Sequence, residues 1–117
     1  MNKRTIGTEY EDRAAAFLIS RGYEILEQNY RNRYGEIDII ARDKEYLVFV
    51  EVKFRKNKGS GLPIEAVDFH KQNKITKVAM YYCTAHQISE YEPMRFDVIG
   101  ILGDEIALYK NAFEAVM

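Results

Sequence analysis

The sequence predicts an α/β domain in which a mixed β-sheet is flanked by helices, in the order αβββαββ. Three observations predict it: two stretches with apolar residues at helical spacing, strand-like runs placed between and after them, and the nearly continuous hydrophobicity of two of those runs. Strands that are apolar on both sides belong in a sheet covered on both faces. A chain of 117 residues leaves no room for a second independent core, so one domain spanning 1–117 is expected.

The first helix is read from Thr5 to Arg21, where Ile6, Tyr10, Ala14, Phe17 and Leu18 recur at helical spacing. Thr5 or Thr8 can cap its start, and Gly22 can end it. A short strand follows over Tyr23–Tyr30, then a connection, Arg31–Gly35, in which Gly35 can take a positive φ. Glu36–Ala41 and Tyr46–Lys53 are rich in β-branched and aromatic residues and read as a hairpin turning at Asp43-Lys44. Residues 54–63 are polar, with two Gly and one Pro, and read as an exposed, mobile loop. Asp68 is placed to cap a second helix over 69–85 that buries Ile75, Val78, Ala79 and Tyr82. A strand over Arg95–Ile101, a turn at Gly103-Asp104, a strand over Glu105–Tyr109 and a short helix from Asn111 complete the chain.

Composition narrows the function classes. At 47% hydrophobic and 30% charged, the chain suits a packed domain and not a disordered one. It has no apolar run long enough to cross a bilayer and no signal-peptide stretch after Met1, which predicts a cytoplasmic protein. One cysteine, Cys83, and two scattered histidines, His70 and His86, supply neither a disulfide nor a Cys/His zinc set. The net charge of −1 is unevenly spread: residues 53–77 hold seven Lys/Arg against Glu65 and Asp68, a local +5 between acidic flanks. Such a segment is either a solvated helix face or a positive patch on a neutral protein.

The hairpin carries charge in an unusual place. With the turn at Asp43-Lys44, Asp38 would face Phe49 and Glu36 would face Glu51. Side chains alternate with a period of two and opposite residues share a face. Glu36, Asp38, Ile40, Phe49, Glu51 and Lys53 would then project from one side, and Ile37, Ile39, Val48, Val50 and Val52 from the other. Clustered carboxylates beside a core need compensation, which Lys53 or a divalent cation can supply. Carboxylate oxygens suit Mg²⁺ or Mn²⁺. An ion so held can activate water and neutralise charge on a phosphodiester, and Lys53 could orient that water or contact the phosphate. The plainer alternative is strand-end charges reaching solvent, with Glu51 and Lys53 an ordinary surface pair.

The run Gly35-Glu36-Ile37-Asp38-Ile39-Ile40-Ala41, followed by Val48-Phe49-Val50-Glu51-Val52-Lys53-Phe54-Arg55, resembles the signature of the YraN family of small bacterial proteins. Gly7-x-x-x-Glu11-x-x-Ala14, Gly22-Tyr23, Asn29-Tyr30-Arg31, Gly61-x-Pro63, Lys71 and Arg95-Phe96-Asp97-Val98 extend the resemblance across nearly the whole chain. That family in turn is similar to the PD-(D/E)xK nucleases, and most to archaeal Holliday-junction resolvases. Asp38 matches the first acid of that pattern, with Ile37 where proline is usual; Glu51 and Lys53 match the second half, and Glu11 the glutamate of the first helix, with Glu9 as the lesser alternative. The resemblance implies a restriction-endonuclease-like fold, catalytic Glu11, Asp38, Glu51 and Lys53, and Mg²⁺ or Mn²⁺ on Asp38, Glu51 and Glu11.

Arg31, Arg33, Arg55, Lys56, Lys58, Lys71 and Lys74 are the residues expected to meet nucleic acid, DNA in the first instance. Nothing in the sequence reads bases, with no helix-turn-helix, no finger and no aromatic strand motif of single-strand binders, so recognition by shape is expected; Tyr81 and Tyr82 read as core and surface of a helix and not as a stacking platform. Asp97 reads as a structural partner of Arg95. Two function classes follow: a metal-dependent endonuclease on structured or branched DNA, which as a resolvase would suit a homodimer, or a non-catalytic nucleic-acid-binding or assembly factor retaining the fold. A two-carboxylate glycosidase gives Lys53 no role.

Overall fold

The computed structural model describes residues 3–116, with side chains described for 9–59 and 61–116. Nine elements include helix α1 (Lys3–Ser20), strands β1 (Glu24–Asn32), β2 (Gly35–Asp43) and β3 (Tyr46–Arg55), helix α2 (Phe69–Ala85), and strands β4 (Met94–Leu102) and β5 (Glu105–Phe113). The remaining two are short 3₁₀ turns, Lys58–Ser60 and Pro63–Ala66. The strands form one sheet in sequential order, antiparallel except for the parallel β3–β4 pair that α2 connects. This is a mixed α/β sheet in the order αβββαββ.

Each face has its own core. Ile75, Val78, Ala79, Tyr82 and Cys83 of α2 pack with Ile37, Ile40, Leu47, Phe49, Phe96 and Val98. On the opposite face Ala14, Ala15 and Leu18 of α1 pack with Ile39, Ala41, Val48, Val50, Ile99 and Ile101. This two-sided covering explains why β2, β3 and β4 read as apolar runs. The Asp68 carboxylate accepts from the backbone N–H of Lys71 at 2.9 Å, capping α2. Gly22, at φ 91°, ends α1 by letting its own N–H and that of Tyr23 turn back to the carbonyls of Ile19 and Leu18. Helix α1 runs from Lys3, two residues ahead of the expected start at Thr5. The side chains of Thr5, Ile6 and Thr8, assigned roles above, lie outside the described residues.

Several expectations need correction. Residues 111–113 extend β5 and form no helix: Phe113 stacks on Phe96 (centroids 4.9 Å apart), and the N–H of Asn111, at φ 52°, donates to Asp97 at 2.9 Å. The segment after Lys53 is not a free loop. Strand β3 continues through Arg55, the Asn57 side chain accepts from the Gly59 N–H, and Pro63 is buried beneath Gly100. The β1–β2 connection is shorter than read, with only Arg33 and Tyr34 between the strands.

The β2–β3 turn is Lys44-Glu45, Lys44 at φ 56°, closed by the pair Asp43–Tyr46. Asp43 is held there by Arg95 at 2.8 Å and Lys110 at 3.5 Å. The register therefore moves: Ile40 faces Phe49, Ile39 faces Val50, and one step further along both strands lie Asp38 and Glu51. Glu36 instead pairs across β1 with Arg31. Alternation also slips once. Ile37 shares the α2-side core with Ile40, not the α1-side core with Ile39. The slip lies opposite Asn29, a residue of β1 at φ 55°.

Candidate functional site

The β2–β3 ladder closes at Ile39–Val50, and two buried carboxylates, Asp38 and Glu51, stand just beyond that last pair. Asp38 is 8% exposed and Glu51 6%. An Asp38 oxygen accepts from the backbone N–H of Val52 at 2.8 Å, which fixes this carboxylate against the neighbouring strand. Glu51 is approached from α2 by Lys71, whose Nζ lies 3.5 Å from Oε2. Glu11 of α1 lies close enough to Asp38 and Asn29 for both to act on its carboxyl.

Electrostatics follow from this crowding. Burial first, then hydrogen bonding and charge at Asp38, push the Glu51 carboxyl up to about 9; Lys71 and Lys53 oppose the shift without reversing it. Burial and then the Asp38 charge raise Glu11 to about 7, with Glu36 adding to the rise and Asn29 opposing it. Asp38 is thus the common neighbour behind both shifts, which favour the neutral form of Glu11 and Glu51 where facing charges would be costly.

A cation can take the place of such a proton. No group of three or more His, Cys, Asp or Glu side chains disposed around one ion occurs among the described residues. Two pairs joined through Asp38 differ from a closed cage. Mg²⁺ and Mn²⁺ commonly bind through one or two carboxylates together with water and phosphate oxygens, a share that one such pair could supply. Asp38 and Glu51 are the pair best placed for this, with Glu11 beside them. Lys53 lies two residues after Glu51 on β3, half-buried and near enough to lower its pKa.

The basic residues divide into two groups. Arg31, Arg33, Lys71 and Lys74 line one cleft of about 540 Å³, together with Asn32, Tyr34, Gly35 and Glu36. Lys71 lines this cleft and also meets Glu51, and so links the two; Asp38 and Glu51 are not themselves part of the lining. Arg31 is exposed and bound to Glu36 at 2.7 Å; Arg33 donates to the Tyr34 hydroxyl at 3.1 Å. Arg55, Lys56 and Lys58 do not line it. They follow Glu51 and Lys53 along β3 and into the first 3₁₀ turn, where Arg55 stands about 13 Å from Glu51 at ordinary strand rise.

Sequence reasoning missed Lys71 as the partner of Glu51, and Asn29 as a neighbour of Glu11. The signals for Asn29 were its place in a polar interruption of an otherwise strand-like run and in the Asn29-Tyr30-Arg31 motif. Asp97, fully buried, belongs to a separate network: it accepts from Tyr23 at 2.7 Å and from Arg95 at 2.8 and 3.0 Å. Arg95 also donates to Asp43, which makes this a structural cluster toward the β2–β3 turn. His86 caps α2 against the Tyr82 carbonyl and His70 is exposed, so neither approaches the acids. Among the described residues no helix is long and apolar enough to cross a membrane.

Residues 10–101 match the uncharacterised protein family UPF0102. A UPF0102 protein of Lachnoclostridium phytofermentans is 51% identical over 115 residues, covering 98% of both chains. One of Fusobacterium nucleatum is 47% identical over 111 residues, covering 95% of this chain and 92% of the relative. Another, of Caldanaerobacter subterraneus, is 50% identical over 101 residues, covering 86% and 82%.

Proposed function

The chain belongs to the uncharacterised protein family UPF0102, and we propose that it is a metal-dependent endonuclease of the PD-(D/E)xK type that hydrolyses phosphodiesters in structured or branched DNA. The observation that carries this reading is the buried Asp38–Glu51 pair at the fork of β2 and β3, with Lys53 on the same strand and a basic cleft joined to it through Lys71.

In this reading Asp38 and Glu51 hold Mg²⁺ or Mn²⁺. When bound, the ion supplies Lewis acidity and positive charge at the scissile phosphate. The Val52 N–H holds the Asp38 carboxylate in place, so one ligand is oriented before substrate arrives. Lys53 orients the attacking water or steadies charge on the phosphate, and Glu11 accepts a proton in the neutral range. Arg31, Arg33, Lys71 and Lys74 contact backbone phosphates from the cleft, with Arg55, Lys56 and Lys58 extending the contact further along β3 and into the turn after it. Paired cuts in a junction would call for a two-fold dimer.

A second reading has its own support. Lys71 and the shared protons can compensate the acids without a metal, so the same pocket would serve a non-catalytic nucleic-acid-binding factor. The two separate in a nicking assay on flapped and branched DNA with Mg²⁺ or Mn²⁺. The nuclease reading expects metal-dependent cuts that Asp38→Ala and Glu51→Ala abolish while the fold, checked by circular dichroism, persists. Absence of cutting on any DNA or RNA substrate, with binding equal in wild type and both variants, would leave the binding factor.

A further inference from the structure

Next to the basic cleft lies a second depression of about 420 Å³, lined by Tyr34, Thr76, Lys77, Met80 and Tyr81 among others. Tyr34 belongs to both. The Tyr34 and Tyr81 rings lie 5.8 Å apart at 58°, and the residues are 39% and 42% exposed, unlike Tyr82, which is buried one position further along α2. The tilted rings together form a partly exposed aromatic wedge on the surface.

This wedge is held in place. The Asn32 side chain accepts from the Tyr34 N–H at 2.9 Å and donates to the Val78 carbonyl at 3.3 Å, tying the β1–β2 turn to α2. Arg33 sits 5.1 Å above the Tyr34 ring and donates to its hydroxyl. On α2, Lys71, Lys74, Lys77 and Tyr81 follow one another at three- and four-residue steps, a stripe about 15 Å long. Cations run along the stripe and an aromatic pair closes its end, away from Glu51.

We infer that Tyr34 and Tyr81 form a seat for an unpaired nucleobase, whose neighbouring phosphates lie along Arg31, Arg33, Lys71 and Lys74. The inference rests on the proposed nucleic-acid reading and names its substrate class: strands with unpaired bases, as at a flap, gap or branch. An aromatic face accepts any base, and cations beside it hold the backbone without reading sequence. In duplex DNA the bases are stacked inside the helix and their faces are closed to the wedge. The seat therefore selects strand state by a feature the acidic centre does not have. A pair of tyrosines serving only to pack the turn on α2 would show no such selection.

The test is fluorescence anisotropy of labelled oligothymidylate, oligouridylate and a blunt DNA duplex against the full chain, in EDTA so that no strand is cut. Tyr81→Ala and Tyr34→Ala should each weaken single-strand binding roughly tenfold, within the range of a missing base–aromatic stack. Duplex binding should stay unchanged, and Tyr81→Phe should behave as wild type. An abasic strand of equal length should bind wild type about as weakly as oligothymidylate binds Tyr81→Ala, a comparison that needs no variant of the turn. Equal losses for oligothymidylate and oligouridylate would support a seat that reads the base and not the sugar; loss confined to one would restrict it to that nucleic acid and still support it. Single-strand binding unaffected by Tyr81→Ala, or an abasic strand that binds as well as the intact one, would overturn the seat while leaving the nuclease reading standing. Failure of the wild type to bind any oligonucleotide would overturn both.

Discussion

Glu51 shows how burial, more than any single neighbour, sets the chemistry of this site. Its folded-state pKa of about 9 lies above the ordinary 4.5, so the folded chain keeps a proton that the unfolded chain releases. The resulting stability is fully present below pH 4.5 and is lost as pH rises through about 9. Glu11 adds a similar loss between 4.5 and about 7. In EDTA, the melting temperature should therefore fall as pH is raised across this window, and Glu51→Gln should flatten the fall. Mg²⁺ or Mn²⁺ should raise the melting temperature more at pH 8 than at pH 6, because its ligands must ionise to bind. A melting temperature independent of pH and metal would contradict both statements. The buried cluster toward the β2–β3 turn makes a contrasting prediction: Tyr23→Phe removes the hydroxyl between Asp97 and Arg95 and should cost about 1–3 kcal/mol in urea unfolding with no effect on metal response.

Among the elements, the turns decide what the site becomes. Gly35 opens β2 at φ 144°, and a side chain there would come within 3.3 Å of Val78 on α2. Gly35→Ala should destabilise the chain by about 1–3 kcal/mol, measured by chemical denaturation, whereas a surface position would scarcely respond. Turns are also where sequence and structure part. The two helices and the apolar strands were legible because periodicity and burial agree at Leu18, Val50 and Val78. The β2–β3 register was not, because Arg95, 52 residues away, fixes Asp43 and so places the turn at Lys44-Glu45. Likewise β5 was cut short at Tyr109, since its continuation depends on Asp97 and Phe96. At the site, Asp38, Glu51 and Lys53 could be named from two strands alone. That Lys71 meets Glu51 depends on how α2 packs on the sheet, which no local pattern carries.

On the scale of the whole molecule, a net charge of −1 conceals an ordered separation. The acids gather at the fork of β2 and β3, one set of cations lines the cleft beside them, and another follows on β3. Binding to DNA should weaken steeply with salt. Neutralising Lys71 and Lys74 should lower the slope of log K against log salt by about 1 for each phosphate no longer neutralised. Neutralising Arg55, Lys56 and Lys58 together should do the same for the group beyond Lys53, and an unchanged slope would remove that group from the interface. The central claim is that Asp38 and Glu51 hold a metal ion that cuts phosphodiesters. Its most direct test is nicking of branched DNA by wild type and a folded Glu51→Gln variant in Mg²⁺ or Mn²⁺. The account predicts cutting by wild type alone, absent in EDTA and reduced at least about a hundredfold in the variant. Equal cutting by both proteins, or none by wild type with either metal, would contradict it.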